Sequence, residues 1–562
     1  MVRKLLLCLA VVLTTVNLSA GTRYIVALKG PLHGAHVPLV QDAVEAQSHD
    51  VRQFDNFNSF AADLTEDEVN ALRRSSAVRY VEPVVERHLL DVTPGSPRIG
   101  AEGTRLNFEQ TVPPGITTTR APELWNMTKS LPAVNVAVLD TGIDPTHPDL
   151  KANYAGGYNT FDAAVSPADD HGHGSHVAGT IAAANNSIGV VGMYPTARLW
   201  ALKVLDNTGA GTTENVVAAL NWLISKKQEI GGNWVASLSL GSKDGSASEQ
   251  EAFQRAFDAG ILSVAAAGNT GLSVLEYPGA YPTVVSAGAV DASNVKANFS
   301  SYGANIALMA PGVAVLSTTK VGTNSVSDVQ TEKGTTYGVT PIYGTPRGDV
   351  QGPYVDCGIG NPADFPPSMT GRIAVIQRGC GPTVDFANCN FTFNDKVKNA
   401  MAVGAAAVII YNIAEGQDAQ QGWTLVRRDC VQYDCTYYQP DLDFPWVLTL
   451  AMSYEDGLAL LKSDSHTISE SYRYEDYKIL SGTSMSTPHV SGGAALIWSL
   501  APNASAQDVR SALTGGAKDL APTGYDAKNG YGLLDVVSAA KILAPGAFGL
   551  PDPQTPRRRP NG

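Results

Sequence analysis

Asn135-Val136-Ala137-Val138-Leu139-Asp140-Thr141-Gly142 is a short apolar run that ends in an acid and then a glycine. A strand that is apolar at nearly every position suits burial on both faces, as in a parallel sheet. Open sheets of this kind keep their sites at the C-terminal ends of their strands. The stretch therefore predicts a buried strand that delivers the Asp140 carboxylate to such an edge. Similar apolar runs recur at 197–205, 234–240, 261–267 and 283–290, alternating with helical stretches such as Thr213 to Lys227. That alternation predicts an α/β domain of three layers, with helices on both faces of a mainly parallel sheet.

Working outward, Asp170-His171-Gly172-His173-Gly174-Ser175-His176-Val177-Ala178-Gly179-Thr180 carries three histidines, and His173 opens a run of small residues that can pack closely as a helix. Far downstream, Gly482-Thr483-Ser484-Met485-Ser486-Thr487-Pro488-His489 places a serine at a helix start. Free backbone N–H groups and the helix dipole favour negative charge there, which suits a nucleophile that must generate an oxyanion. Read as lying in the first turn, Pro488 is expected to be tolerated, because first-turn N–H groups have no intrahelical partner. A lone Gly-Thr-Ser also fits an ordinary helix cap, and a lone histidine fits a satisfied core. A strand-end Asp, a Gly-flanked His and a helix-start Ser in one chain are far less expected by chance.

Together these stretches resemble the motifs of the subtilisin-like serine peptidases (subtilases), in the order Asp, His, Ser. The resemblance implies a subtilisin-like α/β/α fold with Ser484 as nucleophile, His173 as general base and then acid, and Asp140 as the group that orients the imidazole. The motif puts the catalytic histidine first in His173-Gly174-Ser175-His176, ahead of His176 and distinct from His171. Leu262-Ser263-Val264-Ala265-Ala266-Ala267-Gly268-Asn269 is a further apolar run ending in an amide, and the resemblance makes Asn269 a donor to the tetrahedral oxyanion. The bland alternative for Asn269 is a turn cap.

The resemblance extends to the cleft. Ser237-Leu238-Ser239-Leu240-Gly241 is similar to the edge that pairs with substrate backbone, so Ser239, Leu240 and Gly241 are substrate-binding candidates, with Gly209 on the facing strand Leu205–Gly211. Asn269 to Pro278 matches the wall and floor of the primary pocket, where the position before Tyr277-Pro278 is usually small and here is Glu276. A carboxylate at the pocket base would favour Lys or Arg before the scissile bond; alternatively Glu276 points to solvent. Ala182 to Gly192 resembles the family's calcium loop. It implies a structural calcium held by the Asn186 side chain, the carbonyls of Ala184, Ile188 and Val190, and the Asp149 carboxylate. A plain polar turn is the alternative, and no ligand from the mature N-terminus is identifiable.

A chain of 562 residues is expected to hold more than one domain. Residues 1–20, with Arg3, Lys4 and the apolar run from Leu5 to Leu13, read as a secretory signal peptide too short to span a membrane. Residues 22–90 form a compact α+β unit with a capping-box Thr65-Glu66-Asp67-Glu68, and resemble the inhibitory propeptide of subtilases. Residues 91–112 read as its cleavable linker. The peptidase domain is expected at 113–320 and 476–545, with a tail at 546–562 expected to be disordered. The interval between His173 and Ser484 exceeds what a minimal subtilase needs, and the excess at 321–475 resembles an inserted protease-associated (PA) domain.

One of the six cysteines, Cys8, lies in the signal segment. The other five, Cys357, Cys380, Cys389, Cys430 and Cys435, fall in the insert, where one or two disulfides and an odd thiol are expected. Asn126, Asn185, Asn298, Asn390 and Asn503 begin glycosylation sequons, usable if the source is eukaryotic. A net charge of −13 argues against a nucleic-acid partner. The expectation is thus a secreted, extracellular serine endopeptidase, monomeric and without a membrane span, made as a zymogen. Its partners would be protein and peptide substrates and its own propeptide. The alternative is a catalytically silent binding protein of the same fold that presents its PA domain.

Overall fold

The computed structural model describes residues 22–30, 50–90, 110–380, 391–414, 423, 425 and 444–550. The expected signal peptide, residues 31–49, most of the expected linker, Cys389, Cys430, Cys435 and the last twelve residues lie outside them. A seven-stranded sheet forms the centre, in the order Ile306–Pro311, Val284–Val290, Ile261–Ala266, Trp234–Leu238, Asn135–Asp140, Arg198–Lys203, Tyr154–Asn159. Every neighbouring pair is parallel. Asn135–Asp140 is buried throughout because both faces are covered. Val136 and Val138 join one core with helices His173–Ala182 and Thr483–Leu500, whereas Ala137 and Leu139 join the other with Thr213–Ile230 and Ala247–Asp258. Alternation along one strand thus produces the three expected layers.

The N-terminal unit is a four-stranded antiparallel sheet, Arg52–Phe54, Ser59–Leu64, Thr22–Leu28 and Val78–Pro83, backed by helix Glu66–Arg74. Thr65 and Glu68 close the reciprocal capping box that the sequence suggests. One face of this sheet has its own core around Val26, Phe60 and Leu72. Ile25, Phe54, Phe57 and Ala61 are buried instead in the core that holds the two helices Thr213–Ile230 and Ala247–Asp258. The unit continues as strand Glu86–Leu89 into the cleft described below.

The insert is a closed seven-stranded barrel, Asn324–Thr331, Thr336–Pro341, Leu448–Met452, Ala407–Tyr411, Ile373–Gln377, Gly348–Asp356 and Thr467–Glu475. It leaves and rejoins the α/β domain through a two-stranded antiparallel stem, Val315–Thr318 with Tyr477–Leu480. Cys380 is disulfide-bonded. Cys357 is a free, buried thiol that burial pushes up to about 12. At the C-terminus the expectation of disorder from Gly546 is corrected for residues 546–550. Pro545–Phe548 forms a short 3-10 turn, and Phe548 packs against the core because a bulky aromatic gains by leaving water.

Glu470 lies inside the barrel between Val329 and Val350, fully buried, and neither carboxyl oxygen has a hydrogen-bond partner. Burial alone raises its pKa well above that of an ordinary carboxyl, so folding favours its protonated form. Unfolded, the same group loses its proton near pH 4.3. Above that pH and below its raised pKa the unfolded chain binds fewer protons than the folded one. Stability then falls by up to about 1.4 kcal/mol per pH unit. Glu470→Gln, neutral at every pH, is expected to remove this part of the decline in thermal midpoint between pH 5 and 8.

Candidate active site

The C-terminal edge of the sheet gathers the residues of interest. Asp140 ends strand Asn135–Asp140, fully buried, and its Oδ1 accepts a hydrogen bond from Thr141 N–H at 2.8 Å. The same oxygen lies 2.8 Å from His173 Nδ1. His173 is the first residue of its helix, and the approach needs glycine at the next position. A Cβ on Gly174 would lie 2.1 Å from the carbonyl oxygen of Gly142. Of the three histidines in the motif, His173 is the one bonded to Asp140. His176 Nε2 instead meets the Val315 and Lys478 carbonyls of the insert's stem. Burial, then the neighbouring His173, pushes His176 down to about 3. His171 is lowered for the same reasons, burial first.

Ser484 is the second residue of helix Thr483–Leu500 and is buried. Its hydroxyl donates to the Ser239 carbonyl at 3.1 Å, and the Ser239 hydroxyl donates back to the Ser484 carbonyl at 2.8 Å. His173 Nε2 has no hydrogen-bond partner, so the Ser484–His173 link is not made in this conformation. Hydroxyl-to-imidazole contacts of this kind are often absent until substrate is bound. Asn269 lies just beyond strand Ile261–Ala266. Its Oδ1 accepts from Thr483 N–H at 2.9 Å and from the Thr483 hydroxyl at 2.8 Å. That pins the carbonyl end of the amide and leaves Nδ2 on the side of Gly482, where an added Cβ would come within 3.1 Å.

Strand Glu86–Leu89 of the N-terminal unit lies along the cleft and lines the space that remains. It runs antiparallel to Leu240–Gly241 on one side and to Ala210–Thr212 on the other. Leu89 faces Leu240, His88 faces Gly241 and Ala210, Arg87 faces Gly211, and Glu86 faces Thr212. Leu89 N–H also donates to the Gly209 carbonyl at 2.9 Å. Leu240, Gly241 and Gly209 thus border this extended segment, whereas Ser239 exchanges its hydrogen bonds with Ser484. The cleft, about 1200 Å³, is lined among others by His173, Asn269, Glu276 and stem residues Lys478 to Ser481.

Glu276 points inward, correcting the solvent-facing alternative. It is 8% exposed, and a Cβ on Gly241 would lie 2.9 Å from its Oε2 and 2.8 Å from Leu90 Cδ2. The leucine side chain and the carboxylate therefore share one pocket beside Gly241. A Cβ on Gly268 would lie 3.0 Å from Glu276 Cγ, so two glycines make the space. Burial raises the Glu276 pKa, and the charge of Lys243 opposes that shift.

At the loop from Ala184 to Val190, Asp149 accepts from Asn186 Nδ2 at 2.9 Å and from Val190 N–H at 3.0 Å. Two residues not anticipated from sequence complete this cluster. Tyr477 OH donates to Asp149 Oδ2 at 3.1 Å. Gln110 Nε2 lies 3.0, 3.2 and 3.3 Å from the Ala184 carbonyl, Asn186 Oδ1 and the Ile188 carbonyl. Gln110 arrives through the parallel bridge Thr111–Val190, so packing against the peptidase domain begins before the expected boundary at 113. An isolated glutamine carries no periodic or motif signal; its position just ahead of Thr111-Val112-Pro113 was the available clue. Among the described residues no group of three or more His, Cys, Asp or Glu side chains forms a metal cluster, and no helix is long and apolar enough to cross a membrane.

With this geometry in place, the Subtilase family profile matches residues 132–345 and 386–532, and the Peptidase inhibitor I9 profile matches residues 23–90. Subtilisin E of Bacillus subtilis (strain 168) is 38% identical over 311 residues, covering 54% of this chain and 75% of the relative. An alkaline protease of Shouchella clausii is 39% identical over 282 residues, covering 50% of this chain and 67% of the relative. Among solved structures, the psychrophilic subtilisin-like protease Apa1 from Pseudoalteromonas sp. AS-11 aligns with a TM-score of 0.51 at 31% identity. That alignment covers 78% of this chain and 99% of the other.

Proposed function

The chain belongs to the subtilase family and is a serine endopeptidase with an inhibitor-type propeptide; on that premise we propose that Ser484, His173 and Asp140 are its triad. The observation that carries this reading is the buried 2.8 Å contact of His173 Nδ1 with Asp140, which leaves Nε2 unpartnered at the cleft. With Nδ1–H donated to Asp140, Nε2 is the basic nitrogen. A rotation of the Ser484 hydroxyl from the Ser239 carbonyl to Nε2 hands over its proton as Oγ attacks the peptide carbonyl. Asn269 Nδ2 and the Ser484 N–H at the helix start donate to the oxyanion. The imidazolium, held by the buried Asp140, then protonates the leaving amine. Water repeats the sequence on the acyl-enzyme.

The tail Glu86–Leu90 occupies the cleft as a substrate's N-terminal side would, with Leu90 in the primary pocket before the maturation cut. This supports an autoprocessed zymogen inhibited by its own propeptide. The oxygens of Asp149, Asn186, Ala184 and Ile188 suit a calcium ion: three of these acceptors already converge on one Gln110 nitrogen, and a hard cation needs such a set. Val190 and the Gln110 amide oxygen would complete it. Bound there, the ion would be structural, tying the start of the peptidase domain to the loop. The barrel fits the expected PA domain, with its stem lining the cleft beside His173. The N-terminal segment supports secretion into the extracellular space.

Ser484→Ala is expected to abolish fluorophosphonate labelling and to accumulate the unprocessed chain; normal processing in that variant would implicate another maturase. Chelation should lower the thermal midpoint of the mature enzyme, and Gln110→Ala should shrink that drop, read by scanning calorimetry with and without calcium. Glu276 has a raised pKa, so its charge is absent below that value and appears as pH rises through it. The ratio of kcat/KM for Arg-ending over Leu-ending substrates should therefore climb with pH in the wild type. In Glu276→Ser the ratio should stay flat.

A further inference from the structure

Arg87, two residues inside the cleft-bound strand, is fully buried and forms a forked ion pair with an equally buried carboxylate, Glu249. Arg87 Nη2 lies 2.6 Å from Glu249 Oε2 and Nε lies 3.1 Å from Oε1, while Nη1 donates to the Glu86 carbonyl at 2.9 Å. Everything else that holds Glu249 belongs to the peptidase domain. Tyr281 OH donates to Oε2 at 2.9 Å, and burial, then Glu249 itself, holds that phenol far above its usual pKa, so it remains a donor. Ser246 caps the first turn of helix Ala247–Asp258, in which Glu249 sits, and the helix N-terminus favours an anion there. The carboxylate is thus preassembled in the enzyme, and its cation is supplied by the segment that must leave.

We propose that Glu249 is the base of an acidic subsite that selects arginine at the fourth residue N-terminal to the cleaved bond. The proposal rests on the tail lying as a substrate does, with Leu90 immediately before the cut; Arg87 is then the fourth residue back. Once the propeptide departs, the carboxylate is left with a phenol donor and no counter-charge, and a guanidinium seated on it restores the pair. Arginine is favoured over lysine because a planar fork reaches both carboxylate oxygens at once. Leucine in the same place would strand the charge. The known reaction therefore carries a second charge-reading pocket, independent of Glu276.

The test uses mature enzyme matured from the full chain and internally quenched peptides of the form X-His-Leu-Leu followed by a common leaving segment. X is Arg, Lys, Leu or Glu, and mass spectrometry locates the cut. The expected order of kcat/KM is Arg above Lys above Leu above Glu, with Arg exceeding Leu by about 30-fold or more. In Glu249→Gln that ratio should fall to within about threefold. Should that variant fail to mature, the double variant Arg87→Leu/Glu249→Leu replaces the ion pair by two apolar side chains beside Phe253, and its mature form should prefer Leu over Arg. Equal rates for Arg and Leu in the wild type, or an Arg preference that survives either variant, would overturn the proposal. A cut elsewhere than after the second leucine would overturn the alignment of the tail instead, with the Arg dependence then counted from the observed cut.

Discussion

The Asp140 carboxylate is buried at the end of a strand that is itself buried on both faces, and a charge in that place must be met by polar groups. One oxygen is held by the Thr141 N–H and by His173, which requires the helix His173–Ala182 to start against the strand end. Gly174 is the condition for that approach, because any side chain there would strike the Gly142 carbonyl. Parallel order does the rest. Strands Asn135–Asp140, Trp234–Leu238 and Ile261–Ala266 run the same way, so Asp140, Ser239 and Asn269 emerge on one edge. The start of helix Thr483–Leu500 is locked to that edge by Thr483 on Asn269 and by the reciprocal Ser239–Ser484 bonds.

The propeptide reads this edge with backbone and with charge. Two antiparallel ladders hold Glu86–Leu89, and such main-chain pairing is blind to sequence. Its charged contacts differ in worth. Arg79 with Glu251 is part-exposed, and pairs of that kind contribute about 0–1 kcal/mol. Glu82 accepts from Ala247 N–H and Ser248 N–H at 2.9 and 2.8 Å, completing a helix start that the released enzyme must leave to water and Ser246. The buried Arg87–Glu249 pair is of a third kind: the desolvation of both ions offsets much of their attraction, so its main effect is discrimination against other residues.

How much of this was legible in the sequence varied with the kind of signal. Strands that are apolar on both faces, such as Asn135–Asp140 and Ile261–Ala266, announce themselves. The edge strand Tyr154–Asn159, with Gly156 and Gly157, does not, since its conformation is imposed by pairing with Arg198–Lys203. Asp140, His173, Ser484 and Asn269 carry local motifs and could be named before any fold was known. Gln110 and Tyr477 join the Asp149 loop, and Glu249 meets Arg87, only through tertiary contact, across sequence separations of 74, 328 and 162 residues. The barrel shows the same limit. Its parallel strands Ile373–Gln377 and Ala407–Tyr411 are apolar and buried at nearly every position, whereas closure depends on Asn324–Thr331 and Thr467–Glu475, which are polar or mixed and widely separated in sequence.

The insert is not hung on the catalytic domain at random. Its stem strands pair with each other, and His176, three residues beyond His173 on the same helix, bonds carbonyls from both of them. Kept neutral by burial, the His176 ring has one N–H to share between those carbonyls, and it cannot charge without losing its site. On the other flank, Tyr477 of the same stem reaches Asp149, and Asn324 donates to the Tyr477 carbonyl as the barrel begins. Stem residues Lys478 to Ser481 then run along the cleft directly into Gly482 and the Ser484 turn. The stem therefore touches the His173 helix through His176 and continues into the Ser484 turn through the chain itself.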